Sequence, residues 1–129
     1  MDRFPLDSVM FPVNFILFQE GNFGPQILAH AKKKGIARIA LKAMARSPWP
    51  DRNHEAWRKC WYQPLDDPEM AERSVRFTLS EDITAAIPPG EDELFRMALS
   101  FAERFRPLSP RERESLLSQA RGIPPLFRG

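Results

Sequence analysis

The stretch SVMFPVNFILFQEGNFGPQILAHAKKKGIARIALK, Ser8 to Lys42, decides the fold class. Its first part, Ser8 to Phe18, is β-branched and aromatic without a helical repeat, and a turn cluster from Gln19 to Gly24 follows, which predicts a buried strand. Pro12 has no N–H to give to a ladder, so the strand is expected to be irregular there or unpaired on one side. Gly24-Pro25 opens a helix with proline at its first position, and the helix runs to a last turn of Lys32, Lys33 and Lys34 with Gly35 just beyond. Cations there complement the helix dipole, so the lysine run reads as a solvated face. Ile36 to Lys42 is apolar again, and strand, helix and strand at this spacing predict a right-handed crossover and a parallel pair.

The alternation continues outward. Asp67-Pro68 is an acidic N-cap followed by proline, and Met70, Ala71, Val75 and Leu79 supply an apolar stripe to about Ser80. Ile83 to Ile87 is a third strand, closed by Pro88-Pro89-Gly90, and Glu91 to Arg104 a third helix with Leu94, Phe95, Ala98, Leu99 and Phe101 or Ala102 facing inward. Ser109-Pro110-Arg111-Glu112 is a capping-box pattern that starts a last helix ending at Gly122. The interval from Ala43 to Asp67 is irregular and holds every tryptophan, Tyr62, Cys60 and His54; it is expected to be a long loop with a short helix around Asn53 to Lys59. The reading is α/β, one domain over residues 1–129, with three parallel β-α units in 1–106 and a C-terminal helix and tail in 107–129. Three parallel strands expose two edges, so the chain is expected to pair with another copy or to belong to a larger sheet.

Composition narrows the function classes. With 129 residues, 43% hydrophobic and 28% charged, the chain has the size of one domain. A net charge of +2 is no basic surface, so nucleic acid is not expected as a partner. The single Cys60 excludes an intrachain disulfide framework and multi-cysteine metal sites. The longest apolar stretch, Val9 to Phe18, is interrupted by Pro12 and Asn14 and falls short of the ~20 residues of a membrane helix, and no signal-peptide pattern accompanies it. A cytoplasmic location without a membrane is the expectation. His30 has no ligand partner at helical spacing, His54 none of recognisable logic, and there is no glycine-rich phosphate loop.

In parallel α/β proteins sites gather at the carboxyl ends of strands, which here are Phe18 to Gly24, Lys42 to Arg46 and Pro88 to Asp92. Lys42 there either meets a phosphate or carbonyl or simply emerges into solvent. Gln19, Asn22 and Gln26 read better as turn and helix-start residues than as ligand contacts. Gly90 begins a helix whose free N–H groups suit an anion, but Glu91, Asp92 and Glu93 fill the same turn and oppose one.

Taken together, DSVMFPVNFILF, the GPQILAHAKKKG helix, IARIALKAMA and ITAAIPPG with its helix resemble the last three β-α units of the aldo/keto reductases, over roughly Phe4 to Phe105. The resemblance lies in order and spacing, and it implies strands six to eight of a (β/α)8 TIM barrel that reduces carbonyls with NAD or NADP. It also implies cofactor contacts by residue. Asn14 matches the asparagine of the family's strand-six Tyr-Asn pattern, with Val13 in place of the tyrosine and Met10 where a glutamine often meets the nicotinamide. Lys42, in Leu41-Lys42-Ala43-Met44, matches a lysine facing the cofactor phosphates, and Arg96 lies within about one residue of the adenosine-side arginine. Pro89 and Gly90 replace the lysine and serine that take the extra phosphate of NADP, which leaves the choice between NAD and NADP open. The catalytic aspartate, tyrosine, lysine and histidine lie on the family's first four strands, which have no counterpart here; Tyr62 is not in their place. The chain alone is therefore expected to be inactive, with its carbonyl substrate met only in a full-length context. The alternative is a non-catalytic half-barrel pseudoenzyme or interaction module that self-associates.

Overall fold

The computed structural model describes all 129 residues. In chain order the elements are β1 (Ser8–Pro12), α1 (Pro25–Lys33), β2 (Ala37–Leu41), β3 (Ala45–Pro48), β4 (Tyr62–Pro64), α2 (Pro68–Ser80), β5 (Ala85–Ala86), α3 (Asp92–Glu103) and α4 (Pro110–Gln119), with a π-helical turn at Leu17–Gly21. The protein is mixed α/β. Strands β1, β2 and β5 form a three-stranded sheet in that order, all parallel, and β3 and β4 form a separate antiparallel pair.

The helix boundaries follow local chemistry. Asp67 accepts from Met70 N–H at 2.9 Å and Pro68 takes the first position of α2. Ser109 and Glu112 complete the capping box of α4, each bonding the other's backbone N–H. Gly35 follows α1 with φ +67°, a left-handed conformation that suits glycine. The lysine run is solvated and paired outward, Lys32 with Asp82 at 2.7 Å and Lys34 with Asp2 at 3.0 Å.

Four expectations need correction. The strand expected from Ser8 to Phe18 ends at Pro12, and Phe15, Ile16 and Leu17 are buried in a helical turn instead. A fully apolar run does not distinguish strand from helix by period; here Asn14 Oδ1 accepts from Leu17 N–H at 2.9 Å and starts the turn. The helix expected around Asn53 to Lys59 does not form, because the Ala43 to Asp67 interval is organised as the β3–β4 pair. The third strand is reduced to Ala85–Ala86, although Thr84 and Ile87 N–H still bond Arg38 and Ala40 carbonyls at 2.8 and 2.9 Å. In α3, Leu94, Ala98 and Phe101 are buried, while Phe95 and Leu99, expected inward, are exposed.

Pro12 keeps its place by facing away from the ladder. Val13 N–H donates to Leu41 O at 2.9 Å, so by strand alternation the Pro12 nitrogen points to the free side of an edge strand.

The sheet has two unlike faces. Register pairs Phe11 with Ala40 and Ala40 with Ala86, and this face packs with Leu28 of α1 into a core that also takes Val13. The opposite face carries Met10, Ile39 and Ala85 in one row and Pro12 and Leu41 in the next. All five are apolar and none is buried, Met10 being 53% exposed. The larger core lies among the helices and the β3–β4 pair, around Phe15, Met44, Phe77, Leu94 and Leu116.

Candidate functional site

The carboxyl ends of β1, β2 and β5 share one rim, and polar side chains tie it together. Asn14, directly after β1, is 1% exposed and fully engaged: Nδ2 donates to Lys42 O at 2.9 Å and to Ala45 O at 3.3 Å, while Oδ1 caps the following turn. From α2, Thr78 Oγ1 donates to Val13 O at 2.8 Å and Ser74 Oγ to Ala43 O. These bonds satisfy backbone carbonyls that the strands leave unpaired where they end.

Lys42 follows β2 with φ +65°, a left-handed conformation uncommon for a lysine and held here by the Asn14 amide on its carbonyl. Its ammonium lies 4.4 Å from the ring centroid of Tyr62 and 5.1 Å from that of Trp61. Burial pushes the Lys42 pKa down, against a smaller opposing effect of Cys60. Burial also pushes the Cys60 thiol and the Tyr62 phenol up, so both are neutral near pH 7 and neither offers Lys42 a counter-charge. Trp61 is 59% exposed and edge-on to Tyr62, forming an open aromatic shelf beside the amine.

The C-terminal tail completes this side of the rim. Gly129 N–H donates to Gly21 O at 2.8 Å and Arg128 Nη1 to Glu20 O at 3.1 Å. Between these anchors and the shelf, the Phe127 ring sits 5.8 Å from Phe23 and 6.0 Å from Trp61.

Of the residues singled out in the sequence, Asn14 and Lys42 are brought into contact, with Asn14 positioning the lysine from below. Pro89 and Gly90 stand at the same rim after β5, Pro89 buried and Gly90 exposed. Their acidic neighbours are partly engaged, since Lys59 donates its backbone N–H to Glu91 and its ammonium to Asp92 at 3.2 Å. Arg96 is exposed on the second turn of α3 and joins no ion pair. Asn22 and Gln26 are turn residues, with Asn22 at φ +46° and Gln26 Nε2 donating to Asn22 O at 2.8 Å. His54 stacks on Trp49 at 3.8 Å and its Nδ1 bonds Ala56 O, while His30 pairs with Asp2. No group of three His, Cys, Asp or Glu side chains is arranged to hold a metal ion, and no helix is long and apolar enough to cross a membrane.

The aromatic shelf under Lys42 is what sequence reading undervalued. Its signal was the Cys60-Trp61-Tyr62 run, but its meaning depends on the β3–β4 pairing, which places a residue twenty positions away beneath the amine. No family model, curated protein or solved structure matches this chain.

Proposed function

We propose that this chain is the carboxyl-terminal part of an aldo/keto reductase-like (β/α)8 barrel, supplying contacts to a nicotinamide dinucleotide and no proton donor. The observation that carries this reading is the sheet itself: three parallel strands in the spatial order β1-β2-β5, packed against α1 on one face, with an open apolar face on the other. Such a face is the lining of a barrel interior when further strands close around it. The candidate polar groups stand at the carboxyl rim, where cofactors lie in such barrels. An apolar groove along β5, lined by Leu79, Ala86, Ile87, Pro88, Ala98 and Leu99, fits the place of a neighbouring β-α unit. Lys42 would meet the dinucleotide phosphates. Tyr62 would not replace the absent general acid, because its buried phenol lies under Lys42 with its pKa raised.

Calorimetric titration of the chain with NAD, NADH, NADP and NADPH tests the proposal. Saturable binding that Lys42→Ala abolishes without loss of the cooperative unfolding transition is the expected result. A stably folded chain that binds none of the four would overturn it. The second reading, a self-associating half-barrel, rests on the same open face and free edges; a defined dimer in sedimentation together with no nucleotide binding would favour it.

A further inference from the structure

Between α2, α4 and the connection from α3 to α4 lies an open cavity of about 460 Å³ with no hydrophobic side chain in its wall. Ligand cavities of this size are mostly apolar, so an occupant of this one would be hydrophilic and charged. Two of the three carboxylates in the wall are already matched. Arg76 holds both Glu112 oxygens at 3.0 and 3.1 Å, and Arg104, outside the wall, holds both Glu72 oxygens at 3.0 and 3.1 Å. The guanidinium groups of Arg73, Arg106 and Arg111 are left against the single carboxylate of Glu69. Arg73 donates only to neutral acceptors, Gln119 Oε1 at 3.1 Å and Ser115 Oγ at 3.4 Å. Arg106 stands 3.8 Å from a Glu112 oxygen that Arg76 already holds, and the exposed Arg111 side chain forms no hydrogen bond or ion pair. Arg76 is only 5% exposed and commits every N–H but one to Glu112 and to the carbonyls of Arg106 and Pro107; the last, on Nη1, has no acceptor in the fold.

We propose that this cavity binds the phosphoryl group of a small hydrophilic phosphate ester, such as a sugar phosphate. Arg73 comes from α2, Arg106 from the connection and Arg111 from α4. Guanidinium groups arriving from three segments suit a tetrahedral group with three terminal oxygens better than a planar carboxylate. The remaining Arg76 N–H and the Ser115 hydroxyl can serve the ester's own oxygens. None of the rim residues lines this cavity, so the inference does not rest on the cofactor reading.

Calorimetric titration of the chain with glucose-6-phosphate, inorganic phosphate and citrate at about 0.15 M salt tests it. One saturable site for glucose-6-phosphate is expected, with inorganic phosphate competing for it at lower affinity because it leaves most of the cavity unfilled. Arg111→Gln should weaken glucose-6-phosphate by about tenfold, the loss of one charge-assisted contact. Its urea midpoint should not move, since the Arg111 side chain makes no bond in the fold. Glu69→Gln should act the other way and tighten binding, by removing the one unmatched carboxylate. Arg52→Gln removes the same charge from the exposed β3–β4 loop and should leave the affinity unchanged. Absence of glucose-6-phosphate binding overturns the proposal. So does an equal loss in Arg52→Gln, which would mean attraction by overall charge, and so does tighter binding of citrate, which would mean that the cavity selects charge and not a phosphoryl group.

Discussion

The two faces of the parallel sheet are built from the same strands and the same kinds of residue, yet they stand in opposite conditions. On one, Phe11 is 4% exposed and packs with Ala40 and Leu28; one residue along the same strand, Met10 is more than half open to solvent. Strand alternation puts neighbours on opposite faces, so β1 carries both environments within a single step. An antiparallel sheet facing water on one side would set polar residues on its open face. Here that face keeps Met10, Pro12, Ile39, Leu41 and Ala85, which is the pattern of strands covered on both sides. The difference teaches that both faces of the sheet are patterned as apolar surface, while only the face toward α1 is packed.

Stability measurements break this comparison most directly. Phe11→Ala should destabilise the chain by about 3–5 kcal/mol, the range for emptying an aromatic site in a packed core. Met10→Ala should change stability by less than about 0.5 kcal/mol, as for a surface substitution away from special features. Urea unfolding of both variants checks the pair. Equal losses would mean that the second face is covered in solution, by a second copy or by rearrangement, and the dependence of the midpoint on protein concentration would tell which.

Asn14 joins the two faces at their common rim, and Asn14→Asp sharpens what it does there. The substitution keeps the acceptor that caps the Leu17 turn but replaces both donors to Lys42 O and Ala45 O. A buried carboxylate would then face two carbonyl oxygens, and a loss of about 2–4 kcal/mol is expected. Unfolding near pH 7 reads it, and a neutral result would show that the turn cap alone fixes the rim.

The helical layer has its own latch, which acid should open. Buried Arg76 donates to both Glu112 oxygens at 3.0 and 3.1 Å and to the carbonyls of Arg106 and Pro107, joining α2 to the start of α4. The Arg76 guanidinium first, and the Ser109 N–H second, hold Glu112 at about 2, well below its ordinary 4.5. A carboxylate depressed in the folded state contributes stability that is present above its unfolded value and lost as pH falls through its folded one. Stability should therefore decline between about 4.5 and about 2, and in Glu112→Gln that part of the decline should be missing.

Much of this fold was legible because it is written locally. Pro25, Pro68 and Pro110 mark helix starts, and Asp67 and Ser109 cap two of them as their residue types require. Long-range placement was not legible. The β3–β4 pair joins Pro48 to Tyr62 through short segments containing prolines, which local propensity reads as loop. Phe95 and Leu99 lie on an apolar stripe, and periodicity says that such a stripe wants cover without saying that this chain provides it. Of the candidate site, the place of Lys42 directly after a strand is legible in the sequence. Its aromatic shelf was missed, because only the pairing of distant segments brings Tyr62 under the amine.

Lys42→Gly is expected to act with opposite signs in two measurements. Lys42 holds φ +65°, a conformation that costs a non-glycine residue about 1–3 kcal/mol. Lys42→Gly removes that strain but adds the conformational entropy of an unfolded glycine, about 0.5–1 kcal/mol against it. The net should be a gain of between about 0 and about 2.5 kcal/mol in unfolding free energy, together with loss of nucleotide binding at the rim. A residue kept at a stability cost for what its side chain does predicts that divergence. If Lys42→Gly instead destabilised the chain, the packing of the lysine stem on Tyr62 and Trp61 would outweigh the backbone strain, and the amine would be a structural group that happens to stand at the rim.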